Sequence, residues 1–258
     1  MSSKPLPAAE PPPLEGALAF EEGDFHALSE RLAGDPEGSA RRLVTRRKLL
    51  ALGKRAAEGA ERAGVALLSR TSLHHPHQFN GMRVRRLWTY LSRAAAEKKR
   101  LRGVLGAELG KDLDAAYRNA YLCLAIEADG LEVSLRIHPD AWYDGQNLKN
   151  RVAKEGVKPL LALLNGLAGF RLRIDDWKGE WICGKLTPER LEEFFRYYVP
   201  GEHRLVVDER MPAPAGNRAA ALAPDVPERL VSECLRLVPL YRYAAWSAES
   251  DFLFAVNG

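Results

Sequence analysis

The chain has 258 residues, 46% apolar and 28% charged, with a net charge of +4. That length and apolar content suit one large domain or two small ones, and exclude a wholly disordered chain, a collagen or a coiled coil. The longest nearly unbroken apolar stretch, Pro159 to Phe170, is interrupted by Asn165 and falls short of the about 20 residues that a membrane-spanning helix needs.

Residues 1–36 are rich in proline and acid, and the N-terminal MSSKPLPAAEPPPLEG has no apolar core of signal-peptide length. A disordered arm is expected there. The three cysteines, Cys123, Cys183 and Cys234, are far apart and form no C-x-x-C pair, so neither a disulfide framework nor a zinc ribbon is expected. Together these features point to a soluble protein of a reducing cytoplasm.

Charge is segregated along the chain. Residues 1–40 carry a net of −6, residues 41–118 a net of +13 and residues 119–258 a net of −3. Residues 37–118 read as a basic helical region. Asp35, Pro36 and Ser39 offer start signals for a helix running to about Ser69, with Leu49, Leu52, Ala56, Ala60, Ala63 and Leu67 at helical spacing. A second helix is predicted from about Met82 to Leu105, with Val84, Leu87, Leu91 and Ala95 as its apolar stripe. Lys48, Arg55 and Arg62 recur every seven residues on the first helix, and Arg86, Arg93 and Arg100 on the second. Such rows suit the closely spaced phosphates of a nucleic acid. The segment between them, TSLHHPHQFNG, holds His74, His75 and His77, but a proline-interrupted loop sets no ligand spacing and no metal site is expected.

After Arg118 the pattern alternates. Leu122, Leu124 and Ile126 form one face of a strand, Leu131, Val133, Leu135 and Ile137 one face of the next, and Asp129-Gly130 reads as a two-residue turn. That turn would set Ile126 opposite Val133 and Glu127 opposite Glu132, a carboxylate pair able to share a proton or hold a divalent metal. The strand runs into RIHPDAWYDGQN, the chain's densest mixture of functional side chains, at a strand-to-helix turn. Further strands are expected at 170–175, 180–186 and 204–208, and a helix after Thr187-Pro188. Residues 211–227 read as an Ala/Pro-rich linker, and 228–258 as a helix with an aromatic tail.

No phosphate-binding glycine loop, G-x-S-x-G elbow or H-E-x-x-H motif occurs, and no motif names a cofactor. Asp175 or Asp176 with Glu180 and Lys185 resembles a nuclease acid-x-Lys set only loosely. The odd separation of Glu180 and Lys185 puts them on opposite strand faces. The expected fold is α+β: a basic helical pair, then an antiparallel sheet of about five strands with helices packed on one face. The leading functional expectation is a binding protein that engages nucleic acid or another polyanion through Lys48, Arg55, Arg62, Arg86, Arg93 and Arg100. One alternative is a hydrolytic enzyme, metal-dependent and nuclease-like in one version, using His138, Asp140, Asp144, Glu127 and Glu132. Another is a protein-interaction module in which the acidic arm or aromatic C-terminus contacts a partner, and an acidic protein surface is a further possible partner for the basic segment.

Overall fold

The computed structural model describes residues 18–177, 179–213 and 219–254. A short helix α1 (Glu22–His26) precedes α2 (Ser39–Arg62), followed by strands β1 (Leu67–Thr71) and β2 (Arg86–Arg93) and helix α3 (Ala95–Leu109). Strands β3 (Tyr121–Glu127) and β4 (Gly130–Ile137) form the central hairpin. Helices α4 (Trp142–Glu155) and α5 (Lys158–Asn165) lead to β5 (Arg171–Ile174), β6 (Trp181–Ile182), α6 (Pro188–Tyr197) and β7 (Leu205–Pro212). Helices α7 (Val226–Arg236) and α8 (Val238–Ala244) complete the order. Among the described residues the strands make one sheet of order β1-β2-β3-β4-β7-β5-β6, antiparallel at each pairing.

The fold is α+β, with seven strands rather than about five. The five expected strands are β3 to β7. The two extra ones come from the region read as a helical pair. The second expected helix is in fact β2 followed by α3. Leu87 and Leu91 are four apart, and that separation shares a face in a helix and in a strand alike. Trp88, Thr89 and Tyr90 between them favour the pleated form, and pairing with β1 and β3 satisfies the backbone. The first expected helix stops at Arg62 because Gly64 takes φ +79 and turns the chain into β1.

Alternation sorts the sheet into two faces. Leu87, Leu91, Leu122, Leu124, Leu131, Val133, Leu135, Leu172 and Val207 share one apolar cluster with Leu49, Leu52 and Ala56 of α2, Leu148 of α4 and Leu230 and Cys234 of α7. The early and late parts of the chain therefore share one core. Gly53 lets α2 lie close to the sheet: a Cβ there would sit 2.5 Å from Ser69 Oγ and 2.6 Å from Thr89 Oγ1. Gly53→Ala should therefore destabilise by about 1–3 kcal/mol, overriding the roughly 1 kcal/mol that alanine gains in a helix. Urea unfolding checks this, and a stabilised variant would show that the approach is not tight.

The arm expected at residues 1–36 is folded from residue 18 onward. Phe20, Phe25 and Leu28 enter the core, and the Asp24 carboxylate is buried against Lys48 Nζ (2.8 Å), Arg41 Nε (2.9 Å) and Thr45 Oγ1 (2.7 Å). Residues 1–17 of that arm, and 214–218 of the expected linker, lie outside the described residues. Of the rest of that linker, Met211 and Pro212 belong to β7, and Ala221 and Val226 are buried in the core.

The β3–β4 hairpin forms with a different register. Ile126 faces Leu131, Leu124 faces Val133, and Glu127 faces Gly130. Gly130 stands in the ladder rather than in the turn, where a Cβ would meet the Met211 carbonyl oxygen at 2.4 Å. Each partner moves by two positions, so every side chain keeps its expected face. Glu127 and Glu132 are no longer opposite each other, and Glu132 faces Ala125.

Candidate functional site

The sheet face away from the apolar cluster is carpeted by arginine and aromatic side chains. Register places Arg70, Arg86, Trp88, Tyr90, Tyr121, Arg136, Arg173 and Arg210 on it. Beneath the guanidiniums lies a layer of carboxylates. Glu132 accepts from Arg86 Nη2 (3.0 Å), Arg136 Nη2 (2.5 Å) and Ser134 Oγ (2.7 Å). Asp208 accepts a two-pronged contact from Arg173, and Glu127 accepts from Arg86 Nη1 (2.8 Å) and from Arg210. The side chains of Glu132 and Asp208 are 4% and 2% exposed and those of Arg173 and Arg210 39% and 47%, whereas Arg86, Arg136 and Glu127 are part-buried between them. The acids hold the arginines in place, and the guanidiniums of Arg173 and Arg210 are the ones most open to solvent.

Burial alone would raise the Glu132 carboxyl, but Arg86, Arg136 and the Ser134 hydroxyl outweigh it and hold the group at about 2. Asp208 goes the other way, because its burial outweighs Arg173. Burial also raises the Cys123 thiol, whose sulfur lies 3.9 Å from Arg86 Nη2.

Two concavities meet on this face at Arg86. One, of 670 Å³, runs past Trp88 and Arg85 to Phe79. The other, of 400 Å³, runs past Arg136, Arg173, Arg204 and Arg210 to Trp177. Phe79 projects from the β1–β2 loop, 90% exposed and stacked on His77 at 5.3 Å and 12°. Trp88, Tyr90 and Tyr121 form a row with ring centroids 4.8 and 6.0 Å apart, of which Tyr90 is buried and Trp88 and Tyr121 are part-exposed. The result is one track across the sheet, with aromatic rings along and at both ends of a run of guanidiniums.

The six cations expected to form two helical rows do not form them. Lys48 is buried in the Asp24 ion pair. Arg55 is exposed on α2 beside Glu228 at 3.4 Å, Arg62 is exposed at the end of α2, and Arg100 pairs with Glu97 at 2.8 Å. Arg86 and Arg93 lie on one strand at an odd separation, hence on opposite faces. Arg86 belongs to the track, whereas Arg93 is buried against Asp144 at 2.5 Å.

The five expected acid–base residues do not form one group: His138 Nδ1 and Asp140 Oδ2 lie 3.3 Å apart, Glu127 and Glu132 share Arg86, and Asp144 stands apart from both. Asp144 is fully buried and accepts from Arg93, from the Ala120 N–H (2.6 Å) and from the Trp246 N–H (2.8 Å). His138 Nδ1 accepts from the Asp140 N–H at 3.1 Å and caps the turn, and burial and Arg204 lower its pKa. Glu127 and Glu132 are each occupied by guanidiniums. Among the described residues no three His, Cys, Asp or Glu side chains are grouped to hold a metal, the His74–His77 tract included. The track's other members, Arg136, Arg173, Arg204, Arg210, Trp88 and Trp177, went unread as a set. Their sequence signal is slight: Arg171 and Arg173 alternate on β5, while β4 and β7 each carry a single outward arginine, Arg136 and Arg210. No family model and no curated protein sequence matches the chain.

Proposed function

We propose that the protein binds single-stranded nucleic acid across the exposed sheet face. The observation that carries this reading is the continuous track from Phe79 through Trp88, Arg86 and Arg136 to Arg173 and Trp177. Phosphates take the outward N–H groups of arginines already oriented by buried acids, so little side-chain freedom is lost on binding. Unpaired bases stack on the rings, which a closed duplex cannot offer. From β2 to β5 the track crosses four strand spacings, about 19 Å, enough for several nucleotides. The polyanion expectation from sequence is thus kept, but moved from helices to sheet. A hydrolytic role finds less support, since Glu132 is held at about 2 within its arginine cluster and Asp144 is a buried ion-pair partner.

Fluorescence anisotropy with labelled oligo(dT), oligo(U) and a duplex, over a salt series, tests the proposal. The single strands should bind more tightly than the duplex, with affinity falling steeply with salt. Arg70→Gln and Arg210→Gln should each flatten the log–log salt slope by about 0.7 per lost contact. Trp88→Ala should weaken binding about tenfold through lost stacking. Arg55→Glu, Arg62→Glu and Arg100→Glu, on the helices, should change little. Preference for the duplex, or equal losses from the helix variants, would overturn the reading.

A further inference from the structure

The 400 Å³ concavity on the sheet face is built around Val206 of β7. Val206 pairs with Arg136 of β4 on one side and with Arg173 of β5 on the other, and Arg204 stands two residues before it on the same face. Neighbouring strands are about 4.8 Å apart and successive residues about 3.3 Å, so three guanidiniums on long stems surround a floor that is only a valine high. Arg173 spends Nε and Nη2 on Asp208, and Arg136 spends its Nε and Nη2 on Glu132 and Ser134. Among the described residues the Nη1 groups of both, and the whole Arg204 guanidinium, have no hydrogen-bond partner, and none of these atoms is sealed from solvent. Of the acids on the wall, Glu132 is occupied by Arg86 and Arg136, and Glu180 by Arg171 at 3.0 Å, which leaves Asp175.

The basin is also where the run of arginines stops. Trp177, 39% exposed, stands on its rim and separates it from a further concavity of 470 Å³. That one is lined by the carboxylates of Asp176, Glu180 and Glu193, and its arginine, Arg190, is paired with Glu193 at 2.7 Å. A phosphate chain following the guanidiniums from Arg86 therefore meets repulsion once past Trp177.

Granted that single strands occupy the sheet face, we propose that this basin receives the phosphomonoester at one end of the strand, with the last base against Trp177. A terminal monoester carries about −1.5 to −2 at pH 7 and three free oxygens, more charge and more acceptors than an internal diester. The unspent N–H groups of Arg136, Arg173 and Arg204 supply charge-assisted donors from three directions around one point. Internal phosphates pass over Arg86 and the aromatic part of the track, where fewer donors converge.

Fluorescence anisotropy of the full chain tests this with internally labelled oligo(dT) of one length, bearing a 5′-phosphate, a 3′-phosphate or hydroxyls at both ends. At least one phosphorylated strand should bind about tenfold more tightly than the hydroxyl-ended one, and the comparison of the two shows which end is taken. A circular oligo(dT) should compete no better than the hydroxyl-ended strand, and thymidine monophosphate alone far more weakly than either. Arg204→Gln removes a group without a partner, so it should leave the melting temperature unchanged while cutting the end preference to about threefold or less. Arg70→Gln, on β1 at the opposite side of the sheet, should weaken all linear strands alike and keep the ratio between them. Equal affinity for the three linear strands, or a circle that binds as tightly as a phosphorylated strand, would overturn the assignment and leave strand binding standing. Thymidine monophosphate binding as tightly as the phosphorylated strand would overturn it as well. Absence of binding by every strand would remove the sheet-face reading and this assignment with it.

Discussion

Asp144→Asn is expected to lower the unfolding free energy by about 3–5 kcal/mol. Asp144 stands in the first turn of α4 and is fully buried. Its carboxylate receives Arg93 from the end of β2, the Ala120 N–H ahead of β3 and the Trp246 N–H after α8. Three segments remote in sequence are tied at one group. Asparagine keeps one acceptor oxygen, turns N–H donors toward donors and leaves the Arg93 charge without its counter-ion. Urea unfolding gives the number directly. Arg93→Met combined with Asp144→Leu should cost less than Asp144→Asn alone, because the apolar pair leaves no stranded charge. A loss under about 1 kcal/mol for Asp144→Asn would show that the pair contributes little.

Glu132→Gln carries the second large effect, visible in the dependence of stability on acidity. The folded carboxyl is held at about 2, against an ordinary 4.5. The unfolded chain therefore binds the proton more readily. The stabilisation is fully present above about pH 4.5 and is lost as pH falls toward 2. The difference corresponds to about 3 kcal/mol. Glutamine removes this acid-sensitive share and leaves Arg86 and Arg136 short of a counter-ion, so the variant should be weaker at neutral pH and flatter in acid. Asp208 is shifted the opposite way, so its share runs against that of Glu132. The difference between wild type and variant, from guanidinium unfolding at several pH values, isolates Glu132. Parallel pH profiles for the two proteins would refute the argument.

Both effects concern residues that sequence reasoning placed among acid–base candidates. Asp144 sits in a run dense with polar side chains, and nothing local distinguishes a carboxylate at an open turn from one facing the interior. Its partners lie 24, 51 and 102 residues away. Glu132 was placed on the correct face by alternation, but its arginine neighbours come from β2 and from further along β4, and only the sheet order reveals the first. The helical reading holds from Ala95 onward but not over Arg86–Arg93, because an interval of four satisfies helix and strand alike, and the tie was broken by hydrogen-bonding partners on β1 and β3.

From residue pattern alone came the α+β class, the two faces of the β3–β4 hairpin, the Thr187-Pro188 helix start and the concentration of positive charge in residues 41–118. These rest on local periodicity and turn chemistry, which need no knowledge of what lies alongside. The tertiary structure decided the rest: which charges are covered, which are neutralised and which line up. Arg86 and Arg93 differ by seven positions along one strand, yet the first lies on the arginine-rich sheet face and the second is buried against Asp144. Side-chain direction reverses at each residue of a strand, and the neighbours that then surround it are delivered by distant parts of the chain.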